Sequence, residues 1–181
     1  MRTRILLENQ KFQITLQRLC YQLIENHTDF SESVIIGLQP RGIYLASRIT
    51  EHLNKILPKS TILSGQLDVT FFRDDFRRRE SVLLPNTTNI DFIIENKKVI
   101  LVDDVLFTGR TIRAGMDAML AFGRPSKVEL LVLVDRRYSR HLPIEPDYIG
   151  MQIDTIATEK VKVTWKETDG KDAVILKENK L

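Results

Sequence analysis

The chain has 181 residues, a formal net charge of +3 and 43% hydrophobic residues, which suits one globular domain with a sizeable core and excludes disordered and fibrous classes. A single cysteine, Cys20, excludes an internal disulfide, and no Cys/His grouping has the spacing of a zinc site. The longest apolar run, Leu130–Val134, is far below the roughly 18 residues that cross a bilayer, and MRTRILLENQKF is too short in apolar length for a secretory signal, so the expectation is a cytoplasmic protein without a membrane partner.

Phe12, Leu16, Leu19, Cys20, Leu23 and Ile24 recur at helical spacing and predict a first amphipathic helix. Val34–Leu38 (VIIGL) is short, β-branched and apolar on both faces, the pattern of a buried parallel strand. Gly42 opens a second helical stripe through Ile43, Ala46, Ile49 and Leu53. Leu63, Gly65, Leu67, Val69 and Phe71 alternate with mostly polar neighbours and predict a half-exposed strand. From Arg73 to about Lys98 the chain is polar and charged and is expected to run over the surface, with Arg77, Arg78 and Arg79 as a solvated face. Val99–Val102 reads as a second buried strand ending in Asp103 and Asp104. A helix with Ile112, Met116, Met119 and Leu120 on one face follows, stopped by Gly123 and Pro125. Val128–Val134 is a third buried strand. Beyond it, Tyr148–Ile149, Val161–Trp165 and Val174–Leu176 are short strand candidates expected to form a small antiparallel element at one edge. The alternation predicts an α/β fold with a central parallel sheet flanked by helices, in a single domain over 1–181.

The chemistry concentrates in Val99–Thr111 (VILVDDVLFTGRT). Ligands of open α/β sheets bind beyond the carboxyl ends of the strands, and this strand ends in two carboxylates. The Thr108-Gly109-Arg110-Thr111 turn then enters a helix, so its backbone N–H groups and hydroxyls form an anion cradle at a positive helix end. Carboxylates beside a phosphate site suit sugar hydroxyls, Mg²⁺ or both. The bland alternative is a capped strand-to-helix turn with solvated aspartates.

VILVDDVLFTGRTIRAGMDA resembles the phosphoribosyl diphosphate (PRPP) motif of type I phosphoribosyltransferases. GLQPRGIYLASRI, FFRDDF, VLVDRR and LPIEPDYIG fall in the order and spacing of the PyrR family, bifunctional pyrimidine-operon regulators and uracil phosphoribosyltransferases, so the resemblance covers nearly the whole chain. It implies the type I phosphoribosyltransferase fold, with a flexible loop over about 73–98 and a small C-terminal hood drawn mainly from 136–181. It also implies conversion of uracil and PRPP into UMP and pyrophosphate, with Mg²⁺ bound alongside PRPP.

In that family the acidic pair, here Asp103 and Asp104, holds the ribose hydroxyls, and Val105 with Thr108, Gly109, Arg110 and Thr111 wraps the 5-phosphate. Pro40, Arg41 and Gly42 match the pyrophosphate loop, where the family commonly has a strained, often cis, non-proline bond, here the bond between Pro40 and Arg41. Asp104, Arg41 and Arg73 are the expected catalytic groups. Mg²⁺ is carried by PRPP, with Asp103 or Asp104 as the candidate protein contact. For the base, the resemblance implies Tyr148 stacking on the ring, Ile149 reading its edge through the backbone, and Asp135, Arg136 and Arg137 facing the same cleft. A purine phosphoribosyltransferase is the alternative enzyme, disfavoured because Asp135 stands where purine enzymes carry a lysine. A UMP-sensing messenger-RNA attenuator with little turnover is the alternative of another class. Family likeness implies a homodimer or homotetramer. Basic residues are sparse where the family binds leader RNA: Gln17, Tyr21 and Gln22 stand among Lys11 and Arg18, and His141, Glu145 and Met151 follow Arg140. Weak or absent attenuator binding is therefore expected.

Overall fold

The computed structural model describes residues 3–74, 85–156 and 158–178. Arg77, Arg78 and Arg79 lie outside the described residues. Five parallel strands make the main sheet, in the order β3-β2-β4-β5-β6: β2 (Ser33–Leu38), β3 (Leu63–Leu67), β4 (Lys98–Leu106), β5 (Lys127–Arg137) and β6 (Tyr148–Asp154). Every residue of β2 is buried, as a strand covered on both faces requires. Helices α1 (Asn9–His27) and α2 (Gly42–Ile56) cover one face, packing Leu16, Leu19, Leu23, Leu45 and Ile49 on Ile35, Ile100 and Leu131. Helix α3 (Arg110–Met119) covers the other, setting Ile112, Ala114 and Met119 on Val34, Ile36, Leu101 and Val132. Among the described residues, no helix is long and apolar enough to cross a membrane.

A second, antiparallel sheet of order β1-β8-β7 joins the two ends of the chain: β1 (Thr3–Glu8), β7 (Glu159–Thr164) and β8 (Ala173–Glu178). The short helix α4 (Lys166–Asp169) links β7 to β8. This sheet docks on the α1/α2 side through Val163, Val174 and Trp165, whose fully buried indole meets Phe12 edge-on at 5.7 Å between ring centres. The expected C-terminal element is thus real, but its third strand comes from the N-terminus. Tyr148–Ile149 belongs instead to the main parallel sheet, registered against Leu131 and Val132. The half-exposed strand also ends early: β3 stops at Leu67 and Thr70–Phe72 form a 3₁₀ turn. The expected surface excursion is partly core, since Ile94 is fully buried and Asn89 bridges to Gln66 of β3.

At the edge remote from the strand ends that carry the acidic pair, the sheet closes over a buried polar cluster. His27 Nδ1 lies 2.8 Å from Ser33 Oγ, and its Nε2 lies 2.9 Å from Glu129 Oε2, which also accepts the Tyr148 hydroxyl at 2.8 Å. Burial holds the His27 pKa below its ordinary value of 6.5, against the pull of the Glu129 charge. The folded imidazole therefore stays neutral at pH values where the unfolded one takes a proton. Stability is full above 6.5 and falls as pH drops below it. A denaturant series should show that slope as pH falls below 6.5, and His27→Gln should flatten it.

Candidate functional site

Strand β4 ends in two aspartates that are 8% and 9% exposed, Asp103 and Asp104. Asp103 Oδ1 accepts the Asp104 backbone N–H at 2.9 Å, so the two acids are locked to each other. Desolvation drives both carboxyls above the ordinary aspartate range, with the Asp104 charge adding to the rise at Asp103 and the Arg41 guanidinium opposing it at Asp104. A buried pair held this way favours whatever donates to it, whether hydroxyls or a cation.

Two helix N-termini converge on these acids. Helix α2 begins at Gly42, where a Cβ would fall on the Val102 carbonyl oxygen and 2.9 Å from the Asp103 Cα; only glycine lets the helix end press on β4. Helix α3 begins after Gly109, whose φ of +87° is the left-handed conformation that turns the Thr108–Thr111 loop back on itself. The Arg110 N–H points at Thr108 Oγ at 3.5 Å, and the loop is buttressed by the His141 N–H on the Thr108 carbonyl at 3.0 Å. Asp103, Val105 and this loop, with Arg73 and Asp74, line a cavity of 580 Å³. Arg73 reaches Thr111 Oγ at 3.5 Å, and Asp74 pairs with Arg110. Arg73 thus sits at the cavity.

Arg41 does not face that cavity. Its Nε donates to Asp104 Oδ2 at 3.3 Å, and a terminal nitrogen donates to Asp169 Oδ2 at 3.1 Å and to the Val163 carbonyl. The expected cis bond is displaced by one residue: the cis peptide joins Gln39 to Pro40, and none is found at Pro40–Arg41. Gln39 is buried and donates its side-chain amide to the Thr87 carbonyl at 2.7 Å, tying this loop to the returning limb of the excursion.

The five residues expected to read a base are not all brought together. Tyr148 opens β6 at its N-terminal end, 5% exposed, with its hydroxyl in the Glu129–His27 cluster, so its ring is core and stacks on nothing in the cavity. Ile149 gives its carbonyl to Arg18 at 3.0 Å. Strand alternation splits the rest. Asp135 and Arg137, with Ile149, line a separate cavity of 310 Å³, where Asp135 pairs with Arg140 and Arg137 pairs with Asp154 at 2.6 Å. Arg136 points the other way, its guanidinium 3.9 Å above the Phe107 ring and its Nε on Thr155 Oγ at 2.9 Å. Sequence reasoning missed Asp169, an acid in a charged segment with no spacing signal. Among the described residues, no group of three or more His, Cys, Asp or Glu is placed to hold a metal ion.

The phosphoribosyl transferase domain model matches residues 3–168. The chain is 46% identical over 170 residues to the bifunctional protein PyrR of Desulfosudis oleivorans, covering 94% of this chain and 93% of that protein. It is 42% identical over 177 residues to the bifunctional protein PyrR of Bacillus subtilis, covering 97% of each. A crystal structure of a hypoxanthine phosphoribosyltransferase from Staphylococcus aureus superposes with a TM-score of 0.71 at 19% identity, over 97% of this chain and 92% of that one. The hypoxanthine phosphoribosyltransferase of Trypanosoma cruzi with its product IMP gives 0.69 at 16% identity, over 95% and 89%. These last two likenesses are of fold.

Proposed function

The chain belongs to the phosphoribosyl transferase family, within its PyrR group, and from that membership we propose that it transfers the phosphoribosyl group of PRPP to uracil, giving UMP and pyrophosphate. The observation that carries the reading is the buried Asp103–Asp104 pair at the end of β4, with Asp103 lining the same cavity as the Thr108–Thr111 loop at the head of α3. The loop amides and hydroxyls hold the 5-phosphate, and the two carboxylates accept the ribose hydroxyls. A base nitrogen attacks the anomeric carbon while its bond to the diphosphate oxygen breaks. Catalysis is positioning and charge stabilisation: Asp104 faces the positive charge that develops on the ribose, and Arg73 draws off charge from the leaving pyrophosphate. With Arg41 engaged by Asp104 and Asp169, the pyrophosphate contact of the Gln39–Gly42 loop falls to backbone amides at the start of α2. Mg²⁺ bound with the diphosphate would supply charge neutralisation for the leaving group, and Asp103 or Asp104 would be the protein residue to hold it.

Uracil rather than a purine is supported by the PyrR relatives and by the acid at Asp135 in place of a lysine; the purine enzymes resemble this chain in fold alone. Arg136, stacked on Phe107 beside the phosphate loop, is the residue of the expected set that we retain for the base. Pyrophosphate release measured with PRPP, Mg²⁺ and each of uracil, hypoxanthine, guanine and orotate tests the choice. Uracil should dominate, and a preference for a purine or orotate would overturn it.

For RNA, three arginines of the expected face are internally engaged. Arg18 donates to the Ile149 and Gly150 carbonyls, Arg137 pairs with Asp154 and Arg140 with Asp135. Phosphate contacts need cations free to displace counterions. Band shifts with the organism's own pyrimidine-operon leader, at physiological salt with UMP, should show weak or no specific binding. A UMP-enhanced nanomolar complex, about −12 kcal/mol, would restore the regulator reading.

A further inference from the structure

We propose that Asp169, which lies outside the cavity, is a positioning residue that holds the Arg41 guanidinium on Asp104. The proposal rests on the phosphoribosyl-transfer reading, because it gives Asp104 the ribose hydroxyls to hold. Arg41 is caught between two carboxylates from distant parts of the chain. Its Nε is on Asp104 Oδ2 at 3.3 Å, and its terminal nitrogen is on Asp169 Oδ2 at 3.1 Å and on the Val163 carbonyl of the second sheet. The planar fork of an arginine serves acceptors on two sides at once in a fixed geometry, whereas an ammonium is a compact charge on a flexible stem.

Asp169 is itself fixed in place. Its Oδ1 accepts Lys162 Nζ at 2.7 Å, and its Oδ2 accepts the Trp165 N–H at 3.2 Å and Thr168 Oγ at 2.9 Å. Its own N–H donates to the Trp165 carbonyl at 2.7 Å, and the Trp165 side chain is fully buried. The aspartate is therefore tethered to the core of the second sheet rather than to a free loop. These contacts hold its carboxyl well below the usual carboxylate range, Lys162 contributing most. The Arg41 side chain is 32% exposed, so without Asp169 it has solvent to swing into. Asp104 would then lose the cation that orients it. The second sheet, built from both chain ends, thereby acts on the ribose site through one guanidinium.

The test compares Asp169→Asn, Arg41→Ala and the double variant for PRPP in steady-state transfer and in calorimetric binding. Asp169→Asn should raise the KM for PRPP about tenfold, the size typical of partners that orient a site residue, with kcat and the KM for uracil changed less than about twofold. In the Arg41→Ala background it should add nothing further, because its effect passes through Arg41. Arg41→Lys provides a second route with Asp169 intact: it should raise the PRPP KM by a similar factor. Parent-like PRPP affinity in Asp169→Asn or Arg41→Lys, or an equal loss from Asp169→Asn in both backgrounds, would overturn the positioning role. A parent chain that binds no PRPP would overturn the phosphoribosyl reading and this proposal with it, an outcome seen before any variant is made.

Discussion

Replacing Asp103 and Asp104 together by asparagine should weaken PRPP binding by a factor of about 10²–10⁴ while leaving the protein at least as stable as the parent. The loss follows from removing two charge-assisted acceptors, at about 1.5–3 kcal/mol each, where tenfold corresponds to about 1.4 kcal/mol. The stability follows from the same geometry read in the other direction. Both carboxyls are desolvated, and at Asp103 the neighbouring Asp104 charge adds to the strain. Their raised pKa values mean that the folded chain holds these protons more tightly than the unfolded one. Ionising them as pH rises above the ordinary carboxylate range therefore costs stability. Neutral asparagines remove that cost. A melt at neutral pH should show an unchanged or higher Tm beside the lost affinity. A variant that binds PRPP like the parent would remove the ribose assignment, and one that loses affinity only by unfolding would remove the functional reading of the pair's burial.

Gly109→Val should abolish transfer, by two orders of magnitude or more, with a smaller loss of stability. The φ of +87° at Gly109 is a conformation that a β-branched residue rarely adopts, at a cost of about 1–3 kcal/mol. The side chain has little room either, since a Cβ would stand 3.2 Å from the Ile144 Cδ1. The backbone of Thr108–Thr111 must then shift, and with it the amides that face the cavity. Transfer assays paired with a denaturant curve separate the two effects. Normal uracil turnover in this variant would show that the turn does not hold the 5-phosphate.

The parts of the fold legible in the sequence are those whose pattern is local. VIIGL and VILV are apolar on both faces because helices cover both sides of the parallel sheet, and composition alone reveals such a strand. Asp103 and the Thr-Gly turn lie in one short segment, so much of the cavity's lining could be named before any coordinates. Strand β1 was hidden because it is mostly exposed and pairs with β8 across nearly the whole chain, leaving no periodic signal near it. Tyr148 was misplaced for a different reason. A motif locates a residue along a strand but not at which end of the sheet it sits, and Tyr148 lies at the start of β6 while the acids lie at the end of β4. The Gln39–Gly42 turn stands out by its residues, but the engagement of Arg41 by Val163 and Asp169 depends on how the second sheet docks, which no local pattern encodes.

The most direct measurement is chromatographic: UMP formed from uracil, PRPP and Mg²⁺ by the parent chain and by the double asparagine variant, each verified as folded. The account predicts UMP and pyrophosphate in equal amounts from the parent and almost none from the variant. UMP formation undiminished in the variant, or a parent that makes no UMP from uracil while converting hypoxanthine or guanine, would contradict it.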